Sequence, residues 1–125
     1  MTRFLVPVAL LVAAIIHLVP VIGVLGVAQL QSLYGIDAIA PDLAILMRHR
    51  AVLFGLLGAF LVYAAFRPSL QWLAMGAGMV SATSFLVIAW WVGEYNTALA
   101  NVVLADIVVV LALVVAAALR LTKPQ

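Results

Sequence analysis

Apolar residues fill four long runs of this chain, and only short polar stretches separate them. The runs cover residues 4–30, 42–66, 70–92 and 97–121. A helix needs about 20 residues to cross the hydrocarbon core of a bilayer, so each run is long enough for one span. All four are too long and too uniformly apolar for amphipathic helices on a soluble core. The pattern predicts an all-α integral membrane protein, a four-helix up-down bundle forming a single transmembrane domain over residues 1–125.

The segments between the runs fit antiparallel neighbours. Residues 67–69 leave room only for a tight hairpin between the second and third runs. Gly93 is a typical helix stop, and Asn96 is a typical N-cap for the fourth run. The longest connection, residues 31–41, leads into Asp42, whose charge favours the positive end of a helix.

Composition strengthens the membrane interpretation and excludes other classes. The chain is 69% hydrophobic and 8% charged, with a mean hydropathy of +1.35. Soluble domains are roughly half apolar and a quarter charged. The formal charge of +2 is too small and scattered for a nucleic-acid surface, which needs clustered lysine and arginine. The absence of cysteine excludes disulfides and thiolate metal sites. The lipid bilayer is therefore the expected partner, and nucleic acid is not.

The first run also matches a cleaved signal peptide in two respects. Arg3 supplies a basic start, and Gly26 and Ala28 supply small residues near the end. The length of the run, Pro20 and His17 favour a retained span instead. We expect the run to remain in the protein.

Charged residues at the ends of the runs predict an orientation. Acidic residues occupy the two connections on one side, whereas the basic residues at helix ends all fall on the other: Arg3, Arg67, Arg120 and Lys123. Basic residues near helix ends mark the cytoplasmic side of a membrane. The sequence therefore predicts a multi-pass protein of the bacterial inner membrane with both termini in the cytoplasm.

The triplet Arg48-His49-Arg50 interrupts the second run. Residues 51–66 carry no charge, but sixteen residues are too few for a span. The helix must therefore begin near Asp42 and carry the triplet inside the membrane or just beneath its surface. Ionisable groups at such depth are costly and by default mark a functional site.

Counting residues from the helix ends places further polar residues at the depth of the triplet. His17, Ser84 and Asp106 belong to this layer in the outer half, and Glu94 and Asn96 lie at its outer edge. Asp106 is the only carboxylate well inside a run, and leaving it unpaired would cost several kcal/mol. We expect an arginine to pair with it.

The two arginines of the triplet cannot both face the bundle centre, because they point about 200° apart on a helix. Arg48 continues along a stripe of small residues that is typical of helix packing, so it is the expected interior partner of Asp106. Arg50 continues along larger apolar residues and is expected to extend toward the surface.

Two classes of function are compatible with this layer. In the first, the charged cluster only stabilises the bundle of a structural or accessory protein, alone, as a homodimer or with another membrane protein. In the second, it binds an anionic lipid-like molecule or a quinone head group. Two alternatives are a haem b ligated by His17 and His49, and a proton-coupled transporter acting as a dimer through Asp106 or Glu94. No motif for a catalytic nucleophile, metal protease or phosphate loop occurs, so no catalytic residue and no bound metal are predicted.

Several short segments resemble one family of membrane proteins. They are residues 47–55 (Met-Arg-His-Arg-Ala-Val-Leu-Phe-Gly), residues 65–68 (Ala-Phe-Arg-Pro), Tyr95-Asn96 and residues 103–106 (Val-Leu-Ala-Asp). The chain resembles small four-helix bacterial inner-membrane proteins of DoxX type over roughly its last three spans. Some members carry the label phosphopantetheine adenylyltransferase, a soluble enzyme whose histidine-containing phosphate-binding motifs are not found in this chain. The resemblance implies the fold and groups Arg48, His49, Arg50, Asn96 and Asp106, without supplying an activity.

Overall fold

The computed structural model describes residues 2–122, and in that part the chain is helical with no strand. Two short 3-10 helices, Val19–Leu25 and Pro68–Leu70, connect longer elements. The five α-helices are α1 (Thr2–Leu18), α2 (Val27–Tyr34), α3 (Pro41–Ala65), α4 (Gln71–Val92) and α5 (Thr97–Thr122). The all-α prediction is confirmed. Lys123, which the sequence assigns to the basic side, lies outside the described residues.

Within residues 2–122, four helical segments are long and apolar enough to cross a membrane. They are Arg3–Leu25, Pro41–Ala65, Pro68–Val92 and Thr97–Thr122, with mean hydropathies of 2.8, 1.7, 1.7 and 3.0. Large apolar side chains such as Ile15, Leu56 and Leu104 point away from the protein, as lipid contact requires. The chain is thus a multi-pass membrane protein with a four-helix up-down bundle.

The first span differs from the continuous run over residues 4–30 that the sequence predicts. Helix α1 ends at Leu18 and continues as a 3-10 helix to Leu25, where Gly26 separates it from α2. Pro20 explains the change, because its nitrogen cannot donate to the helix ladder and its ring clashes with the carbonyl four residues earlier. Helix α2 is therefore a separate short element at the end of the bundle opposite the termini.

The four spans form a ring in which one seam is loosely closed. Helix α1 packs closely on both α3 and α5, and α4 packs closely on α5, whereas contact between α3 and α4 is sparser. Leu10, Leu61, Val109 and Leu113 fill the centre without exposure to solvent. Gly58 lets α1 approach α3, because a Cβ there would lie 2.6 Å from the Leu18 side chain.

The two ends of the bundle carry opposite charges. We name the end with Arg3, Arg67 and Arg120 the basic end, and the end with Asp37, Asp42 and Glu94 the acidic end. A helix crosses the hydrocarbon core of the bilayer in about 20 residues. Counted from Arg3, Arg67 and Arg120, this length places the boundary of the core on the acidic side near Gly23, Met47 and Ala100. The triplet Arg48-His49-Arg50 thus lies at that boundary, and both His17 and Asp106 lie roughly 9 Å deeper.

Candidate functional site

Arg50 is the arginine that turns into the bundle. Its Nη1 donates a hydrogen bond of 2.9 Å to the Tyr34 hydroxyl at the end of α2. Its guanidinium carbon lies 4.5 Å from the ring centroid of Phe54, 5.4 Å from that of Tyr34 and 5.7 Å from that of Phe85. These rings come from three different helices, and ring faces attract a cation electrostatically. The charge of Arg50 is therefore held by aromatic faces at the edge of the core.

Arg48 lies on the exposed side of α3, and its Nε donates a 2.9 Å hydrogen bond to the Val24 carbonyl. That carbonyl belongs to the final turn of the 3-10 segment, where the helix ladder ends and carbonyl groups need other donors. The structure thus reverses the roles that the sequence predicts for the two arginines. The reason is Leu61, which lies eleven residues, or about three turns, after Arg50 and is fully buried. The larger apolar stripe on α3, and not only the small one, contributes to the core.

Asp106 is 9% exposed on α5, and no arginine forms an ion pair with it in the described part of the chain. Of the two arginines, Arg50 is the half-buried one, whereas Arg48 is exposed. The direct pair expected from the sequence is not formed among the described residues. As a result, Tyr34 is the only side chain to which Arg50 donates among the described residues, although a guanidinium carries five N–H groups.

His17 and Ser81 form a second polar pair and join α1 to α4. His17 is 2% exposed, and its Nδ1 lies 2.7 Å from the Ala13 carbonyl. Because a carbonyl can only accept, Nδ1 carries the proton, and Nε2 of the neutral ring accepts from the Ser81 hydroxyl at 2.9 Å. The Ser81 oxygen keeps its lone pairs for another donor. The imidazole also packs 5.7 Å from the Phe54 ring, beside the site of Arg50.

The two histidines do not meet in this structure. Both ring nitrogens of His17 are hydrogen bonded within the protein, whereas His49 lies on the exposed face of α3. Ligation of one haem between them would require a free nitrogen on each ring and a shared face. The geometry does not provide this arrangement.

A groove opens along the sparse seam between α3 and α4, with a volume of about 290 Å³. We name it the α3–α4 groove. Its lining is Arg50, Leu53, Phe54 and Leu57 from α3 with Ser81, Ser84, Phe85 and Ile88 from α4. Leu53 and Ile88 are exposed at its mouth, so the groove faces the lipid. It thus combines an apolar wall with one guanidinium and two hydroxyl groups.

Asn96 holds α2 over this region from the acidic end. Its Oδ1 accepts from the Leu99 backbone N–H at 2.8 Å, which confirms the predicted N-cap of α5. Its Nδ2 donates to the carbonyls of Tyr34 at 2.8 Å and Gly35 at 3.2 Å. Gly35 has φ of +64°, a conformation that glycine adopts readily, and it ends α2 directly after Tyr34. Asn96 therefore positions Tyr34, the partner of Arg50.

The structure gathers part of the predicted cluster. Arg50 and Ser84 line the groove, and His17 reaches it through Ser81. The Ser84 hydroxyl donates to the Ser81 carbonyl at 3.0 Å. Asn96 contacts the site through the Tyr34 carbonyl. The remaining members are Asp106, which is buried, and Arg48, His49 and Glu94, which are exposed outside the groove.

Three aromatic residues of the site are missing from the sequence-based set: Tyr34, Phe54 and Phe85. Tyr34 falls in the segment that the sequence assigns to the connection over residues 31–41. The pair Gly26 and Gly35, which brackets a stretch of helix-compatible residues, is the signal for α2. Phe54 lies four residues after Arg50 and so on the same face, which was a signal for the stacked pair.

A second groove, between α1 and α5, is larger at about 410 Å³ but has no polar side chain in its lining. Its lining consists entirely of aliphatic side chains, from Leu5 to Val12 on α1 and from Val108 to Ala116 on α5. It offers lipid tails a surface but offers a head group no partner. The α3–α4 groove is therefore the candidate site. No family model, curated protein or solved structure matches this chain.

Proposed function

We propose that this protein binds the head group of a membrane-soluble amphiphile, an anionic lipid-like molecule or a quinone, in the α3–α4 groove. One observation carries the proposal. The Arg50 guanidinium is fixed by three aromatic rings and one hydroxyl in a groove that faces lipid, and its other N–H groups lack a side-chain acceptor in the described chain. A charged donor at such a position favours a ligand oxygen.

The dimensions of the groove limit what it holds. Pockets for small molecules typically measure about 300–1,000 Å³, so a groove of 290 Å³ accommodates a head group and not a whole amphiphile. The tail would leave between Leu53 and Ile88 and remain in the bilayer. Lateral entry from the membrane thus requires no opening through the bundle.

The polar residues around the groove have distinct roles in this proposal. Arg50 donates to a carbonyl or acid oxygen of the head group, and Tyr34 keeps the guanidinium in position. The Ser81 oxygen, whose proton is directed to His17, accepts from a hydroxyl group of the ligand. The rings of Phe54 and Phe85 provide flat apolar walls.

The decisive experiment compares two arginine variants. Binding of a short-chain benzoquinone and of a fatty acid to the purified protein is measured by quenching of tryptophan fluorescence and by thermal stabilisation. Arg50→Gln should weaken binding of at least one probe about tenfold or more, since hydrogen bonds to charged groups contribute about 1.5–3 kcal/mol. Arg48→Gln is the matched control, because among the described residues Arg48 bonds only the Val24 carbonyl and does not line the groove.

The competing proposal is that the cluster only stabilises the bundle. The links His17–Ser81 and Asn96–Tyr34, which join separate helices, favour it. Under this proposal neither probe binds the native protein, and Arg50→Gln lowers the melting temperature alone. Binding that both arginine variants retain at the native affinity would also reject Arg50 as the ligand-binding group.

The location and orientation belong to the same proposal. We place the protein in a bacterial inner membrane with the basic end toward the cytoplasm, because Arg3, Arg67 and Arg120 share that end while the loop acids share the other. The resemblance of residues 47–55 to DoxX-type proteins supports the same location. A fluorescent protein fused to either terminus should fluoresce, whereas a fusion in the α4–α5 connection that requires export should be active.

A further inference from the structure

The three described arginines at the basic end each lie over an aromatic ring. The guanidinium carbon is 4.9 Å from the ring centroid for Arg3 over Phe4, 5.3 Å for Arg67 over Tyr63 and 5.6 Å for Arg120 over Trp72. Between Arg3 and Thr122, every acidic residue lies at the acidic end or, for Asp106, inside the bundle. The positive charge at the basic end is therefore not neutralised by carboxylates of the described chain.

Arg120 differs from the other two because a buried side chain holds it. Its Nη1 donates to Oε1 of Gln71, which is 4% exposed at the start of α4. The Gln71 Nε2 in turn donates to the Ala65 carbonyl at 3.2 Å. Since that carbonyl can only accept, the amide is oriented with its oxygen toward Arg120. The guanidinium plane of Arg120 is thus fixed at the α4–α5 seam.

One polar atom of Arg120 lacks a partner. Its Nε is buried and makes no hydrogen bond within the described chain. Buried polar groups are paired in about 90% of cases or more, so this donor requires an acceptor from elsewhere. Nε and Nη2 form one edge of the guanidinium, and two oxygens of a phosphate match that edge. Gln71 occupies only Nη1, and because Nε is buried, a phosphate oxygen would reach this edge first at Nη2.

We propose that Arg120, held by Gln71 and Trp72, binds the phosphate of an anionic phospholipid in the leaflet at the basic end. Arg120 lies in the last turn of a spanning helix beside the exposed Leu121, where head groups and tails meet. Trp72 suits the same level, since tryptophan is enriched at the membrane interface. A zwitterionic head group brings its own cation, whereas an anionic one neutralises the surplus charge of this end. The site is at the opposite end from the α3–α4 groove and does not depend on it.

The test counts lipids bound to the full-length protein by native mass spectrometry. Protein in mixed micelles is offered phosphatidylglycerol or phosphatidylcholine, and the two binding constants are compared. The native protein should prefer phosphatidylglycerol about tenfold, as expected for one charge-assisted contact. Arg120→Gln should abolish the preference. Arg3→Gln removes the same charge at the same end without touching Gln71, and it should leave the preference within about twofold.

Two further variants distinguish binding at a fixed guanidinium from attraction by positive charge alone and from loss of the fold. Arg120→Lys keeps the charge but loses the guanidinium edge, and Gln71→Leu keeps Arg120 but releases it. Both should bind phosphatidylglycerol several times more weakly than the native protein does. Native affinity for phosphatidylglycerol in either variant, or an equal loss in Arg3→Gln, would overturn the proposal. Inorganic phosphate is the remaining comparison: competition at millimolar concentration would assign the site to free phosphate instead of lipid.

Discussion

The Arg50 guanidinium donates to the Tyr34 hydroxyl across 2.9 Å, and this bond connects α3 to the short helix α2. Tyr34 is buried, and Asn96 fixes its backbone carbonyl from the start of α5. Helices α2 and α3 therefore meet at one cation at the acidic-side boundary of the bilayer core, and α5 holds Tyr34 in place there. The convergence explains why a charge is retained where a span is otherwise apolar.

Replacing Tyr34 by Phe tests this connection with the smallest change. The ring over Arg50 remains, and only the hydroxyl acceptor is lost. We expect the free energy of unfolding to fall by about 1.5–3 kcal/mol, the range for hydrogen bonds to charged groups. The melting temperature in detergent provides the measurement. Tyr63→Phe is the matched control, because that tyrosine is exposed at the other end, and it should change stability little.

Asp106 should be coupled energetically to Arg50 and not to Arg48. Arg50 is half-buried among rings of the bundle, whereas Arg48 is exposed and donates to the Val24 carbonyl. The measurement is two double-mutant cycles, Asp106→Asn with Arg50→Gln and Asp106→Asn with Arg48→Gln, read out as thermal stability. The Arg50 cycle should deviate from additivity by more than about 0.5 kcal/mol, and the Arg48 cycle should be additive within that margin.

Equal additivity in both cycles would show that the carboxyl group acts alone. Coupling confined to Arg48 would restore the assignment that the small-residue stripe predicts. Neither result depends on identifying a ligand, so the electrostatic arrangement is tested separately from the proposed function.

The sequence predicts the spans well because hydropathy over some twenty residues is a strong signal that tertiary contacts rarely override. Asn96 as an N-cap and Gly93 as a helix stop are likewise local features, and the structure confirms both. The direction of Arg48 and Arg50 is different, since it depends on which stripe of α3 faces α1. A spanning helix is apolar all round, so periodicity does not distinguish its buried side from its lipid side.

The groove is harder still to predict from sequence. It arises because α3 and α4 pack more loosely than the other neighbouring pairs, which no local pattern encodes. Ser81 belongs to a stretch of small residues that is also typical of simple helix packing. Only the position of His17 on α1, opposite Ser81, gives that hydroxyl a polar partner.

Ser81→Ala should destabilise the bundle more than Ser84→Ala. The first change leaves the buried Nε2 of His17 without its partner, whereas the Ser84 hydroxyl only bonds a carbonyl of its own helix. Hydrogen bonds between membrane helices contribute about 0.6 kcal/mol on average and up to about 1.7 kcal/mol. We expect Ser81→Ala to lower the free energy of unfolding by an amount within that range, as measured by thermal unfolding. A larger loss for Ser84→Ala would contradict the assignment of Ser81 as the partner that joins α1 to α4.

Gly58 and Gly76 provide a matched pair for testing how closely the helices approach. A Cβ at Gly58 would lie 2.6 Å from the Leu18 side chain and 3.4 Å from the Ala14 carbonyl, whereas a Cβ at Gly76 would meet nothing within 4 Å. Gly58→Ala should therefore force α1 and α3 apart and cost about 1–3 kcal/mol, the usual penalty of overpacking. Gly76→Ala should be neutral or stabilise the protein by up to about 1 kcal/mol, because alanine restricts the unfolded chain and favours the helix. The measurement is the melting temperature of both variants in the same detergent. The melting temperature of Gly76→Ala should equal or exceed that of the native protein, and that of Gly58→Ala should be lower. A reversed order would contradict the close approach of α1 to α3 at Gly58.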